Sequence, residues 1–356
     1  MIFTQRVTAI TQDRILPMET DNFFGDTSFL PYRFLGNGEE WGGETLKVPV
    51  TIAGNNNGGS FQGMSSVSVG TPQTRAQMSF NVKAHRQSIT IPGLEQLANK
   101  GEERIVNLIS ADTHTAYESM LERVSDQLYD NGTGDNGMAF NGLNNLAVDS
   151  TISSTIGNLA RASYTTLNGT VTDVGGAISL DDMATFSMAL RSGSGIKNKP
   201  TVYLCGETVW NYLEKLIITG TIQANYQAQG YPVVTRKSKG AIQASQLNGG
   251  YGFDSIVYRT IPIVFDENCP SGALWGLNEN YLKFYGAKSP KLKDISIPKA
   301  LEGTANDRPT DDIGLQWTGW KDAYAEFGDL AILYLFGEFI ATQPRRLGKL
   351  FNITGV

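Results

Sequence analysis

The sequence predicts an α+β fold, and three observations carry the prediction. Two alternating segments, LKVPVTIA at 46–53 and QMSFNVKA at 77–84, read as paired strands. One amphipathic segment, 102–129, reads as a long helix. Strand-like and helix-like stretches then alternate between about 180 and 300, and a β-type pattern returns near 310 and runs to the end. Composition agrees. The 39 glycines in 356 residues exceed the average usage of roughly 7%, which favours turns and strands over a helical bundle. Charged residues are only 18%, so much of the surface is expected to be covered, for instance by other subunits.

Residues 1–40 show no strong period and mix Gly, Pro and Asn with Phe23, Phe24, Phe29, Tyr32 and Phe34. They read either as an extended arm whose aromatics need a partner surface, or as a segment folded on its own domain. In 46–53, Leu46, Val48, Val50 and Ile52 share one face, and Pro49 fits an edge strand or a bulge. In 77–84 the corresponding set is Met78, Phe80, Val82 and Ala84. The intervening GNNNGGSFQGMSSVSVGTPQTRA carries Arg75 as its only charge. A long β-hairpin with a polar, glycine-rich tip is the simplest joining. A two-stranded ribbon is marginal alone in water, so such a hairpin is expected to lie on another molecule. The alternative is a hairpin inside a larger sheet, ending in a long loop.

The helix over 102–129 repeats Ile105, Leu108, Ile109, Ala116, Met120, Leu121, Val124 and Leu128 at spacings of three and four. Glu102 and Glu103 complement the dipole at its start. At 1.5 Å per residue it spans about 40 Å. Asp130-Asn131-Gly132 stops it. Ser179 can cap a helix from Leu180 to about Arg191, with Asp181 and Asp182 in its first turn. TVYLC at 201–205 reads as a buried strand and Glu207 to about Ile218 as a helix. Ile261–Asp266, Gly272–Leu277 and Tyr281–Tyr285 read as strands, and Gln343-Pro344 breaks the closing β pattern.

Motifs of catalysis are missing. DNGTGDNG at 130–137 has the G-x-G-x-x-G spacing, but a dinucleotide loop needs a strand before it and a helix opening within it. Here a long helix comes before and MAFNGLNNLA follows, so the run reads as a helix stop. An EF-hand is excluded because Asn141 stands where the closing Glu would be. The sequence has no G-x-S-x-G, Walker lysine or H-E-x-x-H. His85 and His114 are the only histidines and read as structural. Cys205 and Cys269 form no metal spacing and read as free thiols. No cofactor, metal or catalytic residue is expected.

A net charge of −6 gives no global basic footprint for nucleic acid. The clusters Arg236, Lys237, Lys239 and Lys283, Lys288, Lys291, Lys293, Lys299 read as solvated or subunit-facing surface. LAILYLFGEFIA at 330–341 falls short of the roughly 20 residues of a bilayer span and is interrupted by Glu338. MIFTQRVTAITQDR shows no apolar core of a secretory signal. No membrane association is expected.

The order of parts resembles the major capsid protein of tailed bacteriophages, the Hong Kong-type capsid fold, from about Gly42 to Val356. The hairpin Leu46–Ala84 is similar to the family's E-loop, Glu102–Tyr129 to its spine helix, and YDNGTGDNGMAFNGLNNLA to the turn after the spine. TVYLCGETVWNYLEKL and YRTIPIVFDENCPSGALWGLNENYLKFYG resemble parts of its A-domain and of the strand pair that follows. FGEFIATQPRRLGKLFNITG resembles its closing P-domain strand and tail.

The resemblance implies an N-terminal arm at 1–40, an E-loop hairpin at 41–90, a P-domain at 91–178 with spine helix 102–129, an A-domain at 179–305, and returning P-domain strands at 306–356. It implies a structural protein and not an enzyme. Copies would form hexamers and pentamers that close into an icosahedral shell around double-stranded DNA, without sequence-specific binding. Assembly would take place in the host bacterial cytoplasm, and the product would be the virion. Asn55, Asn56, Asn57, Phe61, Arg75, Phe23 and Phe24 are the expected contacts between subunits. A portal protein is an implied partner. Some members carry a long N-terminal scaffolding region that is cleaved; only about 40 residues precede the hairpin here, so a separate scaffolding protein and no large cleavage are expected. Some members link subunits covalently through an E-loop lysine. Lys47 and Lys83, at the hairpin base, are the only lysines available, so noncovalent contacts between copies are expected. An encapsulin-like compartment holding a cargo enzyme is the alternative within the same fold. An unrecognised enzyme centred on 180–300 and a β-rich adhesin are the readings outside it.

Overall fold

The structure is a computed structural model that describes residues 31, 34, 38–64, 70–98, 108–191, 198–218, 255–287, 315–317, 320–322 and 327–355. After β1 (Glu39–Trp41), strands β2 (Thr45–Thr51) and β3 (Arg75–Asn81) form an antiparallel ribbon of their own. Its register pairs Leu46 with Phe80, Val48 with Met78 and Val50 with Ala76. The apolar sets predicted on each strand therefore meet on one face. Pro49 lies opposite Gln77, and each strand of a two-stranded ribbon keeps a free edge, so the missing N–H costs no further pairing.

The second strand is longer than its alternation predicts. It breaks at Val82 and resumes as β4 (Lys83–Pro92), which leaves the ribbon and joins another sheet. Arm and sheet, the two readings of the hairpin, are both realised, on either side of Val82. A short helix α1 (Gly93–Ala98) follows.

Helix α2 covers Leu108–Tyr129, and the predicted start at 102–107 lies outside the described residues. Its stripe of Ala116, Met120, Leu121, Val124 and Leu128 is buried. DNGTGDNG ends it through left-handed backbone at Gly132, Asp135, Asn136 and Gly137, conformations suited to Gly, Asn and Asp. A single turn, α3 (Leu143–Leu146), then brings the chain back under α2. Arg161 lies fully buried in the next segment, where its guanidinium donates to the carbonyls of Asn145 and Leu167. Burial lowers its pKa to about 10, leaving it protonated.

The remaining elements are β5 (Thr155–Ile156), β6 (Leu159–Ala160), β7 (Thr170–Ala177), α4 (Leu180–Arg191), β8 (Val202–Cys205), α5 (Glu207–Ile218), β9 (Ser255–Tyr258), β10 (Ile261–Phe265), β11 (Leu274–Leu277), β12 (Leu282–Ala287), β13 (Leu315–Trp317), β14 (Lys321–Asp322), β15 (Gly328–Ala341) and β16 (Gly348–Gly355). They build two six-stranded sheets. In the first, β15 is central: β4 runs along one edge from Gly328 to Gly337, while β14, β13 and β12 share the other. The second has the order β7-β16-β11-β8-β10-β9.

The second sheet is buried on both faces. Val202 and Leu204 of β8 join the large core beneath α2, while Tyr203 and Cys205 join Phe186, Leu190, Val209 and Leu213 of α4 and α5. A strand covered on both sides reads as an unbroken apolar run, which is how TVYLC reads. Cys205 and Cys269 are buried free thiols, and burial pushes both upward in pKa.

The α4 cap has the predicted partners. The Asp182 N–H donates to Ser179 Oγ at 3.2 Å and the Ser179 N–H donates to Asp182 Oδ2 at 3.0 Å, a reciprocal box. Replacing Ser179 with Ala should cost about 1 kcal/mol, read as a lower urea midpoint at unchanged slope.

Candidate assembly surface

The ribbon β2–β3 is held by its own chain at the base. Met78 and Phe80 are buried, and a Cβ on Gly157 would lie 2.6 Å from that of Met78. The Ser79 N–H donates to the Gly157 carbonyl at 2.9 Å, and Asn158 Nδ2 donates to Ser79 Oγ at 2.7 Å. The sequence predicted a hairpin without a core of its own. The structure corrects this: the β5–β6 turn covers the ribbon's apolar face.

Beyond Thr51 the chain projects into solvent. Asn55, Asn56, Phe61 and Arg75 are exposed and Asn57 is half-buried. Asn57 ties the tip together: its N–H donates to Asn55 Oδ1 at 3.0 Å and its amide to the Gly70 carbonyl. Phe61 is 79% exposed and Met64 wholly so, an apolar pair that this chain leaves in water. The structure thus brings Asn55, Asn56, Asn57 and Phe61 together at the tip, with Arg75 at the start of β3. Phe23 and Phe24 lie outside the described residues. Phe34, in the same N-terminal segment, is buried and meets Phe339 edge to face at 6.3 Å, so that part of the segment folds on its own domain.

A second apolar patch was not legible in the sequence. Leu94 and Leu97 of α1 are 73% and 59% exposed, and Phe327 beside them is 69% exposed. The Phe327 ring lies over Gly93, whose N–H donates to the Phe327 carbonyl at 2.9 Å. The only signal was an L-x-x-L spacing in a segment too short to announce a helix. Tip and patch are separated along the chain by β3 and β4, roughly 60 Å of extended backbone.

Between them, where the ribbon meets the first sheet, lies a charged junction. Lys83 Nζ sits 3.3 Å from Glu338 Oε2 and donates to the Ala139 carbonyl at 2.5 Å and to Asn141 Oδ1 at 3.4 Å. Glu338 Oε1 accepts the Asn141 N–H at 2.7 Å and the Phe339 N–H at 3.0 Å. Burial pushes the Glu338 carboxyl up from 4.5 to about 7, against Lys83 and the two N–H donors, which pull it down. The folded chain therefore holds a proton that the unfolded chain has lost between those values. The resulting stabilisation is complete below about 4.5 and disappears as pH rises through about 7. Urea midpoints measured across this window should fall with pH in the native chain, and that part of the fall should vanish in Glu338→Gln.

Of the basic clusters, Lys283 is described and pairs with Glu39, joining β12 to β1 and lowering the Glu39 pKa. Lys288, Lys291, Lys293, Lys299, Arg236, Lys237 and Lys239 lie outside the described residues. Among the described residues no cluster of His, Cys, Asp and Glu could hold a metal, and no helix is long and apolar enough to cross a membrane.

No protein-family model and no curated protein matches the sequence. Solved structures do. The capsid asymmetric unit of cyanophage A-1(L) is similar with a TM-score of 0.67 over 99% of this chain and 100% of that one, at 12% identity. The chain has the fold of a phage capsid subunit. The capsid of the Myoviridae phage XM1 agrees, with a TM-score of 0.58 at 12% identity over 100% of this chain and 99% of that one. The SrpI encapsulin of Synechococcus elongatus is also similar, with a TM-score of 0.51 at 12% identity, covering 98% of this chain and 94% of that one. This α+β, Hong Kong-type fold is the one the order of sequence elements implied.

Proposed function

We propose that the chain is the major capsid protein of a tailed phage, a structural subunit that self-assembles into the icosahedral shell around double-stranded DNA. One observation carries the reading: a capsid-subunit fold matched over the full length of both chains, with a ribbon tip whose apolar residues the subunit leaves uncovered. In this reading β2–β3 is the E-loop, α2 the spine helix, 91–178 and 306–356 the P-domain, and 179–305 the A-domain. Copies meet in hexamers and pentamers through repeated head-to-tail contacts, with the tip of one seated on the next. The residues assigned to these contacts are Asn55, Asn56, Asn57, Phe61 and Arg75, with Phe23 and Phe24 from the N-terminal segment. A net charge of −6 suits a container that confines DNA without neutralising it. A separate scaffolding protein and a portal are the partners, and the shell forms in the host bacterial cytoplasm.

The encapsulin alternative rests on the likeness to SrpI, whose TM-score of 0.51 is below the 0.67 of the cyanophage capsid. The contents of native particles separate the two. Nuclease-protected double-stranded DNA is the expected result; a packaged enzyme in place of DNA would transfer the chain to the alternative.

A further inference from the structure

The junction of Lys83, Asn141 and Glu338 holds a nucleophile, an electrophile and a proton carrier in contact. We propose that it forms an autocatalytic isopeptide bond within the chain, joining Lys83 Nζ to Asn141 Cγ with release of ammonia. The inference concerns one subunit and does not depend on whether copies assemble.

Each group has a position for one task. Lys83 Nζ lies 3.4 Å from the Asn141 side-chain oxygen and 3.3 Å from Glu338 Oε2. Asn145 Nδ2 donates to the same Asn141 oxygen at 3.4 Å, where it polarises the carbonyl and holds the oxygen as charge develops. Glu338 is fully buried, and its other oxygen is held by two backbone N–H groups, leaving Oε2 facing the amine. Phe140 and Phe339, next in sequence to Asn141 and Glu338, pack with Phe284 at ring separations of 4.9 to 6.2 Å and wall the junction from water. An apolar wall disfavours the separated charges of an ammonium and a carboxylate, and so favours the neutral pair that reaction requires.

The step balances without a co-reactant. Glu338 Oε2 takes one proton from the Lys83 ammonium. The amine lone pair attacks Asn141 Cγ, and the tetrahedral oxygen is held by Asn145. Glu338 gives its proton to Nδ2 and takes the second proton from Nζ. The Cγ–Nδ2 bond breaks and ammonia leaves, then collects the proton from Glu338 to depart as ammonium. An amide replaces a lysine ammonium and a primary amide. The bond would fasten the start of β4 to the turn after α2, closing a long loop of chain and fixing the base of the ribbon.

Intact-mass spectrometry of the purified full-length chain tests this. The expected mass is below the sequence mass by one ammonia, with a branched peptide after proteolysis that joins the Lys83 and Asn141 segments. Lys83→Arg and Glu338→Gln should each restore the full mass expected of their sequences. Asn141 precedes Gly142, so ring closure onto the backbone would lose the same ammonia; the branched peptide distinguishes the two. A native chain of full sequence mass after prolonged incubation overturns the proposal, as does ammonia loss with Lys83 unmodified. The native measurement needs no variant, so a misfolding substitution leaves it decisive.

Discussion

A chain lacking Asn55–Gly63 should fold to a stable subunit and fail to close shells. The deleted residues are nearly all exposed and contribute nothing to either core cluster. The hydrogen bonds lost are local to the tip, Asn57 to Asn55 and to Gly70. The ribbon below keeps its register and its cover from Gly157 and Asn158. Shortening a surface loop changes closure entropy only slowly with length, so stability should move by no more than about 1 kcal/mol. Assembly depends on what the tip presents to a neighbour, including the exposed Phe61 ring. Circular dichroism and thermal melting should match the native chain, while sedimentation shows no large particles. Normal shells would remove the tip from the assembly contacts. The single replacement Phe61→Ser, which leaves the loop length unchanged, should weaken assembly in the same direction.

Gly142→Ala should be among the most destabilising single-methyl changes available. Gly142 has φ −95° and ψ 179°, a conformation that alanine adopts freely, so backbone strain is not the issue. Space is. A Cβ there would lie 2.1 Å from the Asp130 carbonyl oxygen, 2.5 Å from that of Gln127 and 2.8 Å from that of Leu128. These carbonyls end α2, and relief requires separating the last turn of the helix from the returning chain. The Asn141 N–H that holds Glu338 and the Asn144 amide that donates to the Tyr129 carbonyl at 2.7 Å would move with it. We expect a loss of about 3 kcal/mol or more, read from denaturant midpoints. Gly137→Ala is the control. It has φ +84° but no atom within 4 Å of a built Cβ, so it meets strain without collision and should cost only about 1 kcal/mol. Equal losses at the two positions would contradict the account of the turn.

Much of the fold was legible because local and tertiary signals agree. The alternations at 46–53 and 77–84 gave both the ribbon and its register, since a two-residue side-chain period admits only one pairing that keeps Leu46, Val48, Met78 and Phe80 on one face. Helix α4 was marked by Ser179 and its two aspartates, and α5 by an uninterrupted apolar stripe. Other features depend on residues distant in sequence. The β5–β6 turn that covers the ribbon has strands of two residues each, too short for a period to show. The break at Val82 follows from β4 pairing with β15, across a separation that alternation cannot encode.

The junction is the instructive case. Glu338 was visible as a lone charge inside LAILYLFGEFIA and was read only as an obstacle to a membrane span. A buried carboxylate needs a partner, and that requirement was the available signal. Its partners Lys83 and Asn141 are 255 and 197 positions away, so only the fold could identify them. The apolar patch of Leu94, Leu97 and Phe327 is assembled in the same way, from two segments at one end of the first sheet.

The central claim is that this subunit builds a closed shell. Electron microscopy of the purified chain, alone and with its scaffolding partner, tests it most directly. The account predicts capsomers or closed icosahedral particles, in which the tip around Asn55–Phe61 lies on a neighbouring copy. A dispersed monomer under both conditions, or particles with the tip free in solvent, would contradict it.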